Sequence, residues 1–541
     1  MSPQETSGGS PLDKPPRLAA ALARRGSPRT KPSTEWYCRA KATKRSKMDI
    51  RKSERLVVPM KLGHRPRGTQ PREEGAGGSD PQEGNVTRIP SREYTSTKLL
   101  RIAELARTGP GIVFTSLAHH IDIDFLREAH SRTRKDGATG VDGQTGRDYA
   151  QDLEGNLVSL LARFKSGGYR APPVRGAEIL KDNGKIRPLG IPTFEDKVLQ
   201  RAVAMVLGAI YEQDFKPCSY GFRPGRSAHD ALAALREEAM AMGASCWVLE
   251  VDIKSFFDTL DHGHLRGFLD RRVRDGIIRR VADKWLKAGV LKDGSIHSRT
   301  EGTPQGGVIS PLLANVYLHE VLDLWFERDV RPRMAGRVRL IRYADDFVIL
   351  FTSEKDARRV LEVLPKRFGK YGLTLHPEKT KLVEFCRPPV DRRADSARGP
   401  RSGTFDLLGF THYWGRTRKG TWAVMRKTMR SRLARALRAI STWCRTHLHQ
   451  RVSEQHRTLS AKLRGHYQYY GITGNYRALG TYLHWVQRLW QRWLNRRNRE
   501  HSMPWPRFKT LLKRYPLPPP RVVHSVFRRA CEPEPLTSRM R

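Results

Sequence analysis

The sequence Tyr343-Ala344-Asp345-Asp346 stands between two apolar runs, residues 338–341 and residues 347–351. Both runs have the composition of short strands, which predicts a hairpin with the two carboxylates at its tip. A third carboxylate, Asp252, stands near the end of another strand-like run upstream. Carboxylates fixed at the edges of neighbouring strands are suited to hold divalent metal for phosphoryl transfer. The predicted metal site consists of Asp252, Asp345 and Asp346.

An Asp-Asp pair in a turn is, taken alone, most often ordinary solvated turn chemistry. Further motifs argue against that interpretation. They are Lys185–Pro192, Ser219–Arg226, Asp252–Phe257, Gly302–Asn315, Leu373–Lys381 and Phe405–Phe410. Together with Tyr343–Asp346, these seven motifs occur in the order of the group II intron reverse transcriptase and maturase family, which the chain resembles over roughly residues 93–530.

The resemblance implies an α+β fold of the right-hand polymerase type. Fingers and a palm with an antiparallel sheet are followed by an α-helical thumb, or maturase domain, and a short basic C-terminal appendage. The expected domains are residues 1–92 as a disordered basic N-terminal extension, 93–412 as fingers and palm, 413–502 as the helical thumb or maturase domain, and 503–541 as a basic DNA-binding tail.

The disorder expected for residues 1–92 rests on composition, since this segment is rich in Pro, Gly, Ser and Arg and has almost no apolar period. Such a segment buries too little surface to offset the entropy cost of ordering. A tail that engages RNA loosely and a spacer without a role both fit. A transit peptide fits less well, because Glu5, Asp13 and Glu35 are acidic.

The charge of the chain points to a polyanionic partner. The sequence has 100 Lys and Arg against 55 Asp and Glu, a formal charge of +45, together with 38% hydrophobic residues. Large cores in so basic a chain favour an enzyme acting on nucleic acid over a small histone-like protein. The six cysteines form no close pair, and no apolar run has the length of a membrane span. We expect a soluble protein of the bacterial cytoplasm, associated with the nucleoid.

The resemblance implies two Mg²⁺ ions and assigns their ligands. Asp252 and Asp345 would bridge the two ions, Asp346 would be a weaker or outer ligand, and the backbone carbonyl of Ile253 would complete the shell. Phe257 would pack under the incoming sugar and exclude a ribose hydroxyl. An aromatic residue at a strand edge is otherwise ordinary core.

Ile179–Ile191 reads as strand, Asn-Gly turn and strand, which predicts a hairpin. It would carry Lys181, Lys185 and Arg187, and such a charged hairpin is often only a solvated face. In the resembled family this ribbon closes over the triphosphate. We therefore expect Lys181 and Arg187 to bind the triphosphate, and Lys185 is the next candidate for this role.

Two further substrate contacts follow from the resemblance. Gln305 would contact the nucleotide or the template strand. Lys379 would donate a proton to the leaving pyrophosphate, although a lysine at this place also fits a plain surface charge.

The segment from Met425 to the end has 26 Lys and Arg against four acidic residues. This imbalance indicates contact with nucleic-acid backbone. Trp485, Leu489 and Trp493 share one helical face, which favours a helix-bundle core over stacking on bases. In the resembled family this region grips intron RNA.

The predicted function is that of an RNA-directed DNA polymerase that copies intron RNA into DNA and assists splicing and mobility of its group II intron. Its expected partners are intron RNA, a DNA target and primer, and dNTPs, without a membrane. An RNA-binding maturase without polymerase activity, or a reverse transcriptase recruited to host defence, are the alternatives. No paired-cysteine module accompanies Cys531, so we expect a bacterial type that lacks the endonuclease and starts from an existing 3′ end.

Overall fold

The computed structural model describes residues 91–180, 186–292, 295–297, 302–303, 306–389, 402–497 and 502–525. The predicted N-terminal extension, residues 1–92, therefore lies almost entirely outside the described residues. Within them the fold is α+β, as the sequence predicts. None of the helices in these ranges is long and apolar enough to cross a membrane.

Fourteen α-helices lie in the described residues. They are α1 (Ser91–Thr108), α2 (Ile123–Arg132), α3 (Gly146–Tyr149), α4 (Leu153–Ser166), α5 (Phe194–Asp214), α6 (Ala228–Met242), α7 (His262–Asp270), α8 (Gly276–Leu286), α9 (Ser310–Leu318), α10 (Glu354–Gly369), α11 (Arg430–Thr446), α12 (Val452–Tyr470), α13 (Tyr476–Leu494) and α14 (Trp505–Arg514). Short polar side chains cap several N-termini. At α6, for example, Ser227 and Asp230 form a reciprocal capping box that fixes where the helix begins.

Eleven strands form three sheets in the same ranges. They are β1 (Val174–Leu180), β2 (Ile186–Ile191), β3 (Trp247–Val251), β4 (Val290–Lys292), β5 (Ser295–His297), β6 (Val338–Tyr343), β7 (Asp346–Phe351), β8 (Lys381–Glu384), β9 (Phe405–Leu407), β10 (Phe410–Arg416) and β11 (Trp422–Thr428). The strand orders are β2-β1-β4-β5, β6-β7-β3-β8 and β11-β10-β9. We name the first the hairpin sheet and the second the acidic sheet.

Strand β7 of the acidic sheet is buried on both faces. Phe347, Ile349 and Phe351 point into the largest hydrophobic core, whereas Val348 and Leu350 point into a second core on the opposite face. This alternation follows from the two-residue period of a strand. The ladder shows the register of the strand that begins with Asp346, since Phe347 lies opposite Val251 in β3 and opposite Arg342 in β6.

The hairpin sheet contains the predicted charged hairpin. β1 and β2 pair antiparallel, with Leu180 opposite Ile186 as the last described pair. The predicted hairpin is confirmed in its two strands, while the connecting residues 181–185 lie outside the described residues. On its other edge β1 pairs parallel with β4, with Val174 opposite Val290.

Helices α11–α14, here called the C-terminal helices, enclose a core of their own. In α13, Val486 and Trp490 are fully buried, Leu489 is buried, and Trp493 packs against the same core. Trp485 remains 47% exposed. The prediction that Trp485 belongs to the core is therefore wrong. The buried stripe is centred on residues 486–490, and the preceding position lies about 100° around the helix from Val486.

The described chain departs from the expected segment boundaries at two places. The boundary expected between residues 412 and 413 falls inside β10, and the following helices begin only at Arg430. The expected DNA-binding tail begins with α14, whose Phe508 is fully buried in the core of the C-terminal helices. Beyond α14 the chain folds back, and the amides of Val523 and His524 donate hydrogen bonds to the carbonyl of Gly471. DNA binding by this tail stays a prediction.

Candidate active site

Asp345 and Asp346 lie at the turn between β6 and β7, which we call the acidic turn. Tyr343 pairs with Asp346 in the ladder, so Ala344 and Asp345 alone form the tip. Ala344 has a φ of 57°, a left-handed conformation that is unfavourable for a residue with a side chain. A turn this tight persists only where neighbouring groups hold it.

Asp252 lies beside the acidic turn. β3 runs antiparallel to β7 with Val251 opposite Phe347, and the next step of this register sets Asp252 opposite Asp346. On the other side the amide of His376 donates a 2.8 Å hydrogen bond to the carbonyl of Asp252. The structure thus brings the three predicted carboxylates to one end of the acidic sheet.

A buried ion pair supports the acidic turn. The side chain of Arg342 is fully buried, and its Nε and Nη2 donate to the two carboxylate oxygens of Asp323 at 2.8 and 2.5 Å. Its Nη1 also donates to Asn315 Oδ1 and to the carbonyl of Ala344 at 3.0 and 3.1 Å. Burial opposes the charge, but Asp323 outweighs that effect and the pKa of Arg342 is raised. The guanidinium therefore stays charged and connects the acidic turn to the helical segment His319–Asp323.

A glycine lets a second segment pack against the acidic turn. A Cβ atom on Gly221 would lie 2.3 Å from the amide nitrogen of Ala344, so no other residue fits without moving the backbone. The amide of Tyr220 donates to the carbonyl of Arg342 at 2.8 Å, and Asn315 Nδ2 donates to the carbonyl of Gly221 at 2.8 Å. The motif Ser219–Arg226 thus braces the carboxylates.

The carboxylates at this end of the sheet interact electrostatically. Part of the Asp346 side chain is exposed, yet the surrounding protein removes much of its hydration. This desolvation, with the negative charges of Asp345 and Asp252, raises the pKa of Asp346 to about 7. Lys379 Nζ lies 2.6 Å from Asp252 Oδ2. Arg432 and Lys379 oppose the rise in the pKa of Asp346, so two cations compensate part of the charge of the three carboxylates.

The donor chemistry of these residues fits magnesium. Mg²⁺ prefers hard oxygen ligands and is usually held by one or two carboxylates together with substrate phosphates. Repulsion among Asp252, Asp345 and Asp346 is the kind of cost that a divalent cation relieves. Among the described residues, however, no three His, Cys, Asp or Glu side chains are already gathered as a metal site. Metal binding at Asp252 would compete with the ammonium of Lys379, which lies 2.6 Å from Asp252 Oδ2.

The backbone carbonyl of Ile253 faces the same end of the sheet. Ile253 forms an antiparallel bridge with Leu375, in which the flanking groups of Asp252 and Lys254 make the hydrogen bonds. In such a pair the central residue directs its own carbonyl to the opposite side. For Ile253 that side is the side of β7 and the acidic turn, which is compatible with the predicted ligand role.

Phe257 lies in a short 3₁₀ helix after β3 and is half-buried, with its ring 5.3 Å from that of Phe256 in an edge-on arrangement. Its carbonyl accepts a 2.8 Å hydrogen bond from the amide of Thr303. A Cβ atom on Gly302 would lie 2.8 Å from the same carbonyl. Phe257 is therefore locked against the start of the Gly302–Asn315 motif, while Gln305 lies outside the described residues.

The same glycine-rich motif meets the hairpin sheet. A Cβ atom on Gly306 would lie 2.5 Å from the carbonyl oxygen of Gly190 in β2, and Gly306 has a φ of 125°. The base of the charged hairpin thus rests on this loop. Lys181 and Lys185 lie outside the described residues. The backbone of Arg187 pairs with Ile179, and its side chain is not described.

A second set of buried polar side chains, which we call the Asp196 network, holds the backbone of the Gly302–Asn315 motif. Asp196 Oδ1 accepts from Tyr169 Oη at 2.6 Å and from Trp285 Nε1 at 2.5 Å, and Oδ2 accepts from Gln200 Nε2 at 3.0 Å. Gln200 Oε1 in turn accepts from the amides of Val308 and its successor at 2.7 and 3.3 Å. Burial raises the pKa of Asp196 to about 6 despite these donors.

Sequence reasoning missed Arg342, Asp323 and Asp196 as supports of the site. A signal was present, since Arg342 interrupts an apolar strand and Asp323 stands in an apolar helical segment. A charge in such a place is rarely buried without a partner. The partner itself was not recognisable, because it lies on a different element.

Three carboxylates held at one end of a sheet beside a tight turn are compatible with an enzyme of metal-assisted phosphoryl transfer. Comparison with known sequences makes this specific. The family model described as "Reverse transcriptase (RNA-dependent DNA polymerase)" matches residues 179–412. Escherichia coli K12 "Protein YkfC" is 35% identical over 321 residues, which is 52% of this chain and 83% of that protein.

Other relatives carry intron names. "Group II intron-encoded protein LtrA" of Lactococcus lactis subsp. cremoris is 34% identical over 308 residues, which is 54% of this chain and 50% of that protein. "Nuclear intron maturase 2, mitochondrial" of Arabidopsis thaliana is 29% identical over 234 residues, 36% of this chain and 30% of that protein. The match thus spans about half the length of the Lactococcus relative. With these relatives, the chain belongs to the group II intron reverse transcriptase and maturase family.

Proposed function

We propose that this protein is an RNA-directed DNA polymerase that copies the RNA of its group II intron into DNA. One observation carries the proposal most directly: within the family-matched residues 179–412, Asp252 lies opposite Asp346 beside the acidic turn. The interlocked supports of the turn favour a catalytic role. A solvated surface turn would not need a buried ion pair and a glycine contact to hold it.

In this proposal the acidic sheet is the palm, the hairpin sheet belongs to the fingers, and the C-terminal helices form the thumb. Asp252 and Asp345 would hold two Mg²⁺ ions, with Asp346 as an outer ligand and the carbonyl of Ile253 completing the shell. When bound, the ions would activate the primer hydroxyl and stabilise charge on the pyrophosphate.

The remaining residues would act on the substrate directly. Lys181 and Arg187 would bind the triphosphate, and Gln305 would contact the nucleotide or template. Lys379 reaches the carboxylate of Asp252, and this position supports a role beside the phosphates, where its ammonium would give a proton to the leaving pyrophosphate.

Phe257 would discriminate against ribonucleotides by occupying the space of a 2′-hydroxyl. Its locked backbone and half-buried ring support this role, because a steric filter works only if the ring cannot move away. Phe257→Ala should raise ribonucleotide incorporation selectively, measured as the ratio of dNTP to rNTP incorporation rates. Phe256→Leu, a change at the adjacent buried ring, is the control. An unchanged ratio in Phe257→Ala would make Phe257 a packing residue.

The intron partnership rests on the relatives' names and on the basic C-terminal segment. We infer that the protein also binds its intron RNA, assists splicing and mobility of the intron, and acts on a DNA target. This activity would take place at the bacterial nucleoid. A DNA primer annealed to intron RNA tests the polymerase directly: dNTP extension should require Mg²⁺ and stop when it is omitted. If the protein instead binds and splices intron RNA without extending any primer, the maturase alternative replaces the polymerase proposal.

A further inference from the structure

A basic pocket of about 510 Å³ opens between the end of α4, helix α8 and the beginnings of β1 and β4. Four cationic side chains line it, those of Arg170, Arg280, Lys284 and Lys287. A single carboxylate, Asp283, belongs to the same lining. The pocket was not indicated by any sequence motif.

Two of the charged groups in the lining are already engaged. Asp283 accepts a 2.5 Å hydrogen bond from Arg266 Nε, so a cation outside the pocket compensates the carboxylate. Lys284 Nζ donates to the carbonyls of Gly167 and Tyr169 at 2.8 and 2.5 Å. Lys284 therefore fixes the pocket wall at the end of α4.

The other three cations face the opening. Arg170, Arg280 and Lys287 are exposed, and they make no ion pair or side-chain hydrogen bond within the part of the chain that the structure describes. Cations near a helix C-terminus stabilise the helix dipole, which explains Lys287 at the end of α8. It does not explain Arg170, which stands in a loop before β1.

The pocket is separate from the expected nucleotide site. Arg170 precedes β1, whereas Lys181 follows the far end of this strand. A strand rises about 3.3 Å per residue, so the seven residues of β1 separate the two places by roughly 20 Å or more. A nucleotide bound by the hairpin cannot reach the pocket.

We propose that the basic pocket binds the phosphodiester backbone of a single-stranded nucleic acid, at a second site apart from the nucleotide. Guanidinium forks suit phosphate oxygens, and a concave group of like charges raises the local concentration of a polyanion. The lining also contains the small residues Ala171 and Gly289, which leave room for a sugar-phosphate chain. The proposal rests on the proposed function in that it lengthens the path of a strand along the enzyme.

The test is a triple variant, Arg170→Gln, Arg280→Gln and Lys287→Gln, in the full-length protein. Its binding to a fluorescent single-stranded RNA of 30 uridines is measured by anisotropy over a range of salt, beside a DNA strand of 30 thymidines. Each lost phosphate contact should flatten the plot of log affinity against log salt by about 0.7, hence by up to about 2 for three contacts. A flatter slope with RNA alone means that the pocket binds an RNA backbone. A flatter slope with both strands means that it binds either backbone.

The matched control is Lys355→Gln, Lys366→Gln and Lys370→Gln, three exposed lysines on and just after α10. It removes the same charge elsewhere and should leave the slope within about 0.7 of wild type. An equal change in both variants, or none in the pocket variant, would refute the pocket. Single-nucleotide extension on a short primer and template should persist in the pocket variant. Absence of extension in the wild-type protein would instead refute the proposed function and leave the binding result intact.

Discussion

The acidic turn and the C-terminal helices handle charge in opposite ways. The turn concentrates a few carboxylates and fixes them with the buried pair Arg342–Asp323. The C-terminal helices bury their aromatic residues, as at Trp490, and keep many cations outside, as at Arg488, which lies 4.1 Å above the ring of Trp505. At the acidic turn the position of each carboxylate matters. The C-terminal helices, in the proposed function, would bind nucleic acid through many cations at once. Single substitutions should therefore act strongly at the turn and weakly on the helices.

The largest expected effect is at the carboxylates. Asp252→Asn or Asp345→Asn should lower the rate of single-nucleotide incorporation by about 10³-fold or more, because metal-assisted charge stabilisation is worth several kcal/mol. RNA affinity, measured by anisotropy, should change by less than about threefold, since cations dominate attachment. Glu362→Gln on the exposed face of α10 is the control and should leave both unchanged. Extension near the wild-type rate in either Asp variant would remove these residues from the site.

The next effect separates support of the turn from chemistry. Arg342→Met leaves Asp323 as an uncompensated buried charge and should lower the free energy of unfolding by about 3–5 kcal/mol, measured in guanidinium chloride. Adding Asp323→Leu should recover part of that loss. The control Arg339→Met, on the same strand, should cost within about 0.5 kcal/mol. Equal losses for Arg342→Met and Arg339→Met would contradict the role of the ion pair.

A smaller effect concerns β10, which lies in the chain between the acidic turn and the C-terminal helices. His412 is fully buried against Phe405, with ring centroids 4.8 Å apart, and burial lowers its pKa to about 3. In the unfolded chain His412 binds a proton near pH 6.5, whereas in the folded protein it stays neutral down to about pH 3. The free energy of unfolding therefore falls as the pH is lowered from 6.5 towards 3. Between pH 7 and 5 this amounts to about 2 kcal/mol. Unfolding of His412→Leu should show a correspondingly smaller loss, and an identical pH dependence would exclude His412 as the cause.

The smallest effect distinguishes the two faces of α13. Trp485→Ala should lower the free energy of unfolding by about 1 kcal/mol, because about half of the residue is exposed. Trp490→Ala, its control in the same helix, should cost about 3–5 kcal/mol, since the ring is fully buried and its Nε1 donates to Gln455 at 2.8 Å. Thermal or denaturant unfolding measures both. A large loss in Trp485→Ala would show that this ring is packed in solution.

The position of Asp345 and Asp346 at the end of a sheet could be predicted, because local pattern determines the strands beside them. A continuous apolar run specifies β7 as a strand buried on both faces, and the tip of the hairpin follows from the polar pair before it. The hairpin at Leu180 and Ile186 was predictable for the same reason, since an Asn-Gly turn acts over a few residues.

The supports of the site could not be predicted, because they join residues that are distant in sequence. Asp323 and Arg342 meet through the packing of a helical segment on a sheet, and no local pattern specifies that crossing. Trp485 shows the same limit on a helix. Helical spacing identifies an apolar face, but which residue lies at its centre depends on where α11 and α12 pack.

The Asp196 network has a mechanical consequence. The carboxylate of Asp196 joins Tyr169 in the loop after α4, Trp285 in helix α8 and, through Gln200, the backbone at Val308. Most loops move more freely than the elements they connect, but the backbone at Val308 and Ile309 is anchored through Gln200 to the buried carboxylate of Asp196. This part of the motif should therefore stay fixed and give strand β2 a rigid support at the contact between Gly306 and Gly190.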